Sequence, residues 1–279
     1  MSSVIAWAVF QWRVVKAVAV RDFKIRITYV PWIINSLVQP VVWTLLLVYT
    51  YNAVLASSSR LASYGWGDDY IGFLVLGQVV LSFFNSINWR SGMAIQRERW
   101  YGTLEMVFLT PASRLAMLFG SSLFGLIDAG WVTFIAALAV IAVTGAEFRL
   151  TDPLAAAASI VLAAYAAVAM GIGLAGLYVL TRSAGPMAVA IQHPLRFFTG
   201  ASFPLSALPQ TLLYVSYAIP LTYGLAVARD TLIRGATLGQ VAGDLVALAA
   251  LGTAGVLLGV LFVRRAEGLA KRYGWLHTF

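Results

Sequence analysis

The sequence contains no cysteine and only two histidines, His193 and His277, which lie far apart in the chain. The absence of cysteine excludes disulfides, thiolate metal sites and cysteine nucleophiles, and it leaves the redox compartment undetermined. Two histidines so far apart argue against a histidine-rich metal site. We therefore expect no metal site in this chain.

Charged side chains are also scarce, at 11% of the 279 residues, whereas 61% of the residues are hydrophobic. Soluble proteins have about 25% charged and about 45–50% apolar residues, so a water-soluble fold of this size could not hide so much apolar surface. A bilayer core needs about 20 apolar residues per spanning helix. The composition predicts an all-α membrane protein. Its net charge of +8 fits basic helix flanks and contact with anionic membrane lipid, and we expect no nucleic-acid partner.

Signals of processing and catalysis are missing as well. The N-terminus lacks an early basic region and a small-residue cleavage site, so we expect no cleavable signal peptide. No G-x-x-x-x-G-K-[ST] phosphate loop occurs, so this chain is not expected to bind nucleotide phosphates in that way. The absence of G-x-S-x-G and H-E-x-x-H argues against an intramembrane enzyme.

Residues 3–28 predict an amphipathic helix that lies on the membrane surface. At about 100° per residue, four basic side chains fall within an arc of about 140°: Arg13, Lys16, Arg21 and Lys24. Apolar side chains gather beside this arc: Trp7, Val14, Val18 and Ile25. This pattern is typical of interfacial helices, although Asp22 and Arg26 interrupt the apolar side.

Apolar segments in the remaining sequence predict six membrane spans, at residues 30–55, 70–96, 114–144, 154–181, 186–204 and 237–263. The chain is thereby divided into an amphipathic helix at 1–29, a transmembrane domain at 30–264 and a tail at 265–279. Pro40 should bend the first span, and neighbouring helices can satisfy the carbonyl that it frees.

Lys and Arg residues set the expected orientation. Of the 19, fourteen fall on the same side of the predicted spans as the N-terminus. The others fall on the opposite side: Arg60, Arg149, Arg196, Arg229 and Arg234. Because basic residues accumulate on the cytoplasmic side of membranes, we expect both termini to be cytoplasmic.

Residues 200–236 are apolar, but Pro204, Pro209 and Pro220 interrupt them. The uninterrupted runs of about ten residues correspond to about 15 Å of helix, half of what spanning requires. We expect short helices that enter the outer leaflet and return. Irregular backbone at that depth must be covered by protein or must line a wet cavity.

The segment RERWYGTLEMVFLTPASR, residues 97–114, lies between the second and third predicted spans. Gly102 permits a turn, Thr103 can cap a short helix through its hydroxyl, and Pro111 ends that helix. The helix would carry Glu105 on one side and apolar residues on the rest: Leu104, Val107, Phe108 and Leu109. An ordinary loop also needs charges and a turn, but exposed apolar residues on a short helix are typical of a docking surface.

This segment resembles the one that follows the second span in type-2 ABC transporter permeases. The resemblance rests on seven positions: Glu98, Gly102, Thr103, Leu104, Glu105, Thr110 and Pro111. FPLSALP and PLTYGLAVAR resemble the outer re-entrant hairpin of the same family, residues 203–234 here. That second match rests on Phe203, Pro204, Leu208, Pro209, Pro220, Leu221, Thr222, Tyr223 and Arg229.

The resemblance implies one half of an ATP-driven exporter in the bacterial inner membrane. Such a permease pairs with a second copy or a related permease, and the pair docks two copies of a separate ATP-binding subunit. ATP and Mg²⁺ would be bound by that subunit, and this chain would bind no cofactor. Residues 97–111 would form the coupling helix, with Glu98 and Glu105 facing basic groups of the ATPase and Leu104, Val107 and Phe108 filling its cleft. The family exports drugs, lipids and polysaccharides, and the apolar composition favours an amphiphilic or lipid-like substrate.

Ionisable residues inside the predicted spans allow two interpretations. Arg90, Asp128, His193 and Arg196 could contact a substrate head group on the translocation path, or Asp128 and Arg196 could form a structural pair. A different function also remains open, an ion-gradient-driven transporter or channel that uses Asp128, His193, Arg196 and Asp244. The nine Trp and twelve Tyr suit anchors at the membrane interfaces, and a sugar-stacking channel is the sharper alternative.

Overall fold

The computed structural model describes residues 2–55, 69–179, 181 and 184–272. Within these ranges the chain forms eleven α-helices and no strand, which confirms the all-α class. The helices are α1 Ser2–Thr28, α2 Val30–Leu55, α3 Tyr70–Gly92, α4 Ala94–Trp100, α5 Leu104–Leu109, α6 Arg114–Thr144, α7 Pro153–Val179, α8 Ala184–Phe198, α9 Gln210–Tyr217, α10 Pro220–Leu232 and α11 Leu238–Arg272.

Five of these helices, α2, α3, α6, α7 and α11, are long and apolar enough to cross a membrane. The predicted fifth span, 186–204, is not one long helix. Helix α8 has 15 residues and is about 22 Å long, shorter than a bilayer core, and the backbone turns at Gly200 with φ +74°. The predicted sixth span continues as helix to Arg272, through the start of the predicted tail. The rest of that tail lies outside the described residues.

Helix α7 lies at the centre of the fold and packs against α3, α10 and α11. It approaches α11 closely because glycines face each other: a Cβ on Gly259 would lie 2.9 Å from the backbone nitrogen of Gly173. Around α7 the core contains large buried side chains from α3, α6, α7 and α10, namely Leu81, Phe84, Ile87, Leu118, Ile172, Leu221 and Leu225.

Helix α1 packs lengthwise along the first half of α6. Gln11 bonds the Pro111 carbonyl and the Ser113 N–H, and Arg26 bonds Asp128. Gln11 and Arg26 are 15 residues apart on α1, and Ser113 and Asp128 are 15 residues apart at α6. At 1.5 Å per residue, the two contacts are therefore separated by about 22 Å along both helices. A helix lying across α6 would contact it over about one turn. The predicted surface helix is thus a packed helix, aligned with part of α6.

The predicted re-entrant segment forms a single 3₁₀ turn at Leu205–Ala207 followed by α9 and α10, which meet at 91°. Each proline lies at a helix start: Pro204 and Pro209 precede the 3₁₀ turn and α9, and Pro220 is the first residue of α10. Proline fits there because the first helical N–H groups have no partner within the helix. The structure agrees with the predicted short helices, whereas their entry into the outer leaflet stays a prediction.

Asp152 joins the starts of α7 and α11. Its Oδ2 accepts the Leu238 N–H at 2.8 Å, and its Oδ1 accepts the N–H groups of Leu154 and Ala155 at 3.0 and 3.2 Å. These backbone donors, Leu238 first among them, lower the pKa of the Asp152 carboxyl. One carboxylate thus caps two helices that are far apart in sequence.

Replacement of Gly120 by Ala should loosen α1 from α6. The added Cβ would lie 2.7 Å from the Val15 carbonyl oxygen and 2.8 Å from the Val18 Cβ, and such overpacking costs about 1–3 kcal/mol. The apparent melting temperature of the purified chain should fall. The matched control is Gly130→Ala, on the same helix with nothing within 4 Å, which should be neutral or slightly stabilising. Equal effects of the two variants would contradict the close packing of α1.

Asp152→Asn should lower stability in a pH-dependent way. Because the folded-state pKa lies below the unfolded value, the carboxylate stabilises the fold above the unfolded pKa, about 3.9, and this contribution is lost as pH falls through the folded value. The difference in melting temperature between the native chain and the variant should be constant from about pH 7 to 5 and should shrink below about pH 4. A difference that stays constant to the lowest pH would contradict the capping role.

Candidate functional site

Seven charged residues from α1, α3, α4 and α6 form ion pairs within the helix bundle. We call them the charge network: Arg21, Asp22, Arg26, Arg90, Arg97, Glu98 and Asp128. They form two groups, one centred on Asp22 and Glu98 and the other on Asp128. Arg21, Asp22 and Arg26 come from the C-terminal half of α1, so the network attaches that helix to the rest of the bundle.

In the first group, Asp22 binds three side chains from three helices. Its Oδ1 accepts Nη2 of Arg21 at 2.9 Å, and its Oδ2 accepts Nη2 of Arg97 at 2.9 Å and the hydroxyl of Ser121 at 2.8 Å. Asp22 is buried. Since a buried carboxylate is costly unless it is paired and hydrogen-bonded, these three donors explain why Asp22 interrupts the apolar side of α1.

Glu98 connects the first group to α5. Its Oε1 accepts Nη1 of Arg21 at 2.6 Å, and its Oε2 accepts the Thr103 hydroxyl at 2.7 Å. With an exposed fraction of 2%, Glu98 is engaged inside the chain. This differs from the expectation that it faces basic groups of another subunit.

Thr103 occupies the N-cap position of α5, as expected, but its hydroxyl makes no capping bond to the helix. The residue has φ −98° and ψ 0° rather than the extended conformation usual for a capping side chain. Its hydroxyl instead donates to Glu98. The predicted cap is therefore wrong in its hydrogen bond, and the bond that forms ties α5 to the charge network.

In the second group, Asp128 is enclosed by donors. Its Oδ1 accepts Nε of Arg26 at 2.9 Å and the indole N–H of Trp131 at 3.2 Å, and its Oδ2 accepts Nη2 of Arg90. The guanidinium of Arg90 also lies 4.8 Å from the centre of the Phe124 ring. The side chains of Arg26 and Asp128 are only 7% and 6% exposed, so this ion pair is shielded from water.

Only two of the four predicted path residues come together. Arg90 and Asp128 are paired, whereas Arg196 on α8 lies over the Trp43 ring of α2 at 5.4 Å and His193 is exposed. The expected Asp128–Arg196 pair does not form, because Arg26 and Arg90 occupy the carboxylate. This arrangement also leaves Asp128 without the partners that the ion-relay hypothesis required.

Helix α5 has the expected boundaries. Gly102 turns the chain with φ +68°, and the backbone becomes extended at Thr110, just before Pro111. Of its described side chains, Met106 and Leu109 are exposed, at 66% and 88%, and Val107 is partly buried. The side chains of Leu104, Glu105 and Phe108 lie outside the described part of the structure.

The opposite end of the bundle contains the bent helices α9 and α10. Arg229 of α10 is buried, lies 3.5 Å from the centre of the Phe73 ring, and donates to the carbonyls of Phe73 and Ala201 at 3.2 and 3.4 Å. Position 77, next to the Arg229 guanidinium, has to be glycine, because a Cβ there would lie 2.0 Å from the Ala201 carbonyl oxygen. The other predicted hairpin residues include two aromatics in ring pairs, Phe203 with Phe197 and Tyr223 with Tyr217.

Four members of the charge network were not predicted as site residues from the sequence: Arg21, Asp22, Arg26 and Arg97. A signal for two of them was available. The buried residues of α1 recur every three or four positions: Gln11, Val15, Val18, Asp22 and Arg26. A carboxylate and a guanidinium that continue a buried stripe indicate charged partners on the helix against which the stripe packs.

Asp128→Asn should destabilise the chain strongly. Without the carboxylate charge, Arg26 and Arg90 remain as shielded cations, and removing one partner of a buried pair costs about 3–5 kcal/mol. Asp230→Asn is the matched control, because Asp230 pairs with Arg234, whose side chain is 52% exposed. An exposed i,i+4 pair contributes about 0.3–0.5 kcal/mol. Similar losses of melting temperature in both variants would show that Asp128 is not a buried anchor.

Comparison with known proteins gives one family match. The family model for the ABC-2 type transporter matches residues 13–233, which include part of α1 and all of α2 to α10. A search of curated proteins finds no match. The family is one of transport permeases, and the apolar helices make the chain a multi-pass membrane protein. Since the match covers well over half of the sequence, the chain belongs to the ABC-2 type transporter family, as a membrane subunit of the transporter.

Proposed function

We propose that this chain is the permease subunit of an ATP-driven exporter and that α5 docks a separate ATP-binding subunit. Two such subunits would act on a pair of permeases, either two copies of this chain or this chain with a related one. ATP and Mg²⁺ would be bound by the partner. The proposed location is the bacterial inner membrane, with both termini in the cytoplasm.

The observation that carries this proposal is an exposed apolar surface on a helix whose N-terminal end is anchored. Met106 and Leu109 of α5 are exposed, and Trp100 and Tyr101, which precede the helix, are exposed as well. Thr103, at the N-cap of α5, is bonded to the buried Glu98. An exposed apolar surface on a firmly anchored helix is typical of an interface with a partner protein.

The charge network supports a mechanical role for this docking. A force applied to α5 reaches Glu98 through Thr103, then Arg21 and Asp22 on α1, and then Arg97 and Ser121 on α4 and α6. Breaking buried ion pairs is costly, so the linked helices should move with α5 as one unit. ATP-driven movement of the partner would thereby be transmitted to the spans.

For the substrate we propose an amphiphilic or lipid-like molecule. The support is indirect: the chain is 61% hydrophobic, and Asp128 is already bound by Arg26 and Arg90. A charged head group would then meet His193 and Arg196 on α8 rather than Asp128. Helix α2, beside Arg196, has only 11% of its most apolar stretch buried, which leaves a surface for lipid, substrate or a second permease.

The double variant Met106→Asp/Leu109→Asp should separate the chain from its ATP-binding subunit. Charged residues at the exposed tip of α5 would have to be desolvated in an apolar interface, and central interface residues often contribute 2 kcal/mol or more each. The fraction of ATP-binding subunit that co-purifies in detergent should fall at least tenfold, together with ATPase activity of the complex.

The control is Leu150→Asp/Leu154→Asp, which changes two leucines of similar exposure, 60% and 65%, near the start of α7. This pair should leave co-purification unchanged. Full retention of the ATP-binding subunit by the α5 variant, or an equal loss in both variants, would rule out docking through α5.

A further inference from the structure

The outward face of α1, opposite its contact with α6, forms a shallow, wide-open groove that is lined by this helix alone. We call it the cationic groove, and its lining residues are Lys16, Ala17, Val20, Arg21, Lys24 and Ile25. They recur at positions i, i+1, i+4 and i+5 along about three turns, so they share one side of the helix. Three of the six carry a positive charge, and none carries a negative one.

The groove offers hydrogen-bond donors that are not used within the chain. Among the described residues, neither Lys16 nor Lys24 has a carboxylate partner, and Lys16 lies 5.6 Å from the centre of the Trp12 ring. Arg21 has five N–H donors and uses three, through Nε and Nη2 to Asp22 and through Nη1 to Glu98. Its side chain is 36% exposed, which leaves two N–H groups for an outside acceptor.

The group of the charge network that contains Arg21 is neutral, because Arg21 and Arg97 pair with Asp22 and Glu98. The extra positive charge of the network lies in the other group, where Arg26 and Arg90 share Asp128. Arg21 lies in both the network and the groove, and Lys16 and Lys24 add two further charges beside it. An anion in the groove would therefore be attracted chiefly by Lys16 and Lys24, because Asp22 and Glu98 offset the charges of Arg21 and Arg97.

The surroundings of the groove are apolar, which restricts the kind of anion that fits. Exposed apolar side chains lie along the same helix before, between and after the cations: Trp7, Phe10, Trp12, Val20, Phe23 and Ile27. An acidic peptide or a nucleic acid would leave these side chains in water. A phospholipid supplies a phosphate for the cations and acyl chains for the apolar residues.

From this combination we propose that the cationic groove of α1 binds the headgroup of an anionic phospholipid, with the phosphate between Arg21 and Lys24 and with Lys16 as a second cationic contact. The bound phosphate partly neutralises Lys16 and Lys24 and accepts from the N–H groups of Arg21 that are not used within the chain. The groove is thus a lipid site next to the attachment of α5. Binding itself does not depend on the proposed function.

The test uses the full chain in a nonionic detergent, without any partner, titrated with short-chain phosphatidylglycerol or phosphatidylcholine and monitored by native mass spectrometry. Phosphatidylglycerol should bind more tightly, and this preference should weaken as salt is added. Lys16→Gln/Lys24→Gln should reduce the affinity for phosphatidylglycerol by about five- to thirtyfold, since each basic residue near an anionic headgroup contributes about fivefold. Affinity for phosphatidylcholine should not change.

The matched control is Arg264→Gln/Arg265→Gln, which removes two exposed positive charges from α11. This control should keep the preference for phosphatidylglycerol, and both variants should keep the native melting temperature. The proposal is overturned by an equal loss in both variants, by no loss in the lysine variant, or by competition from inorganic phosphate as strong as that from the lipid. It is also overturned if the chain alone shows no lipid preference and the lysine variant weakens binding of the ATP-binding subunit instead.

Discussion

The arrangement of the helices near α5 depends on one constraint: charges removed from water must be paired. Asp22, Glu98 and Asp128 are all buried, and each accepts from at least one guanidinium on another helix. A buried ion pair need not increase stability over an apolar contact, but an unpaired one is strongly unfavourable. The network therefore selects one arrangement of α1, α3, α4 and α6 and excludes those in which α1 slides or rotates on α6.

The same ion pairs also hold α5 in a fixed position relative to the bundle, through the bond from Thr103 to Glu98. A six-residue helix between two spans has little stability of its own, since isolated short helices are marginal in water. Here its first turn is fixed by the Gly102 backbone and by the bond from Thr103 to Glu98. Helix α5 is thus tied to the transmembrane bundle, and under the proposed docking a partner that bound its tip would act on α1 and α6 together.

Much of the fold could be predicted from sequence because long apolar segments, glycine turns and prolines act locally. Gly102, Pro111 and the three hairpin prolines set helix ends through their own backbone preferences, and the structure has those ends. The ion pairs could not be predicted in the same way, because Asp128 had several possible partners and the choice depends on packing. Its partners are 38 and 102 residues away, and the expected partner, Arg196, lies over Trp43 instead. The short length of α8, where a fifth span was predicted, was missed because apolar composition alone does not show where a helix ends.

The lengthwise packing of α1 on α6 also has a consequence for biosynthesis. Arg26 leaves the ribosome 102 residues before Asp128, which at about 5–20 residues per second is an interval of about 5–20 s. During that time the charged stripe of α1 has no partner, and the amphipathic character of the helix allows it to rest on the membrane surface. The sequence of α1 therefore suits two successive environments, first the lipid surface and then the side of α6. The packing of α1 on α6 must wait until α6 has been inserted.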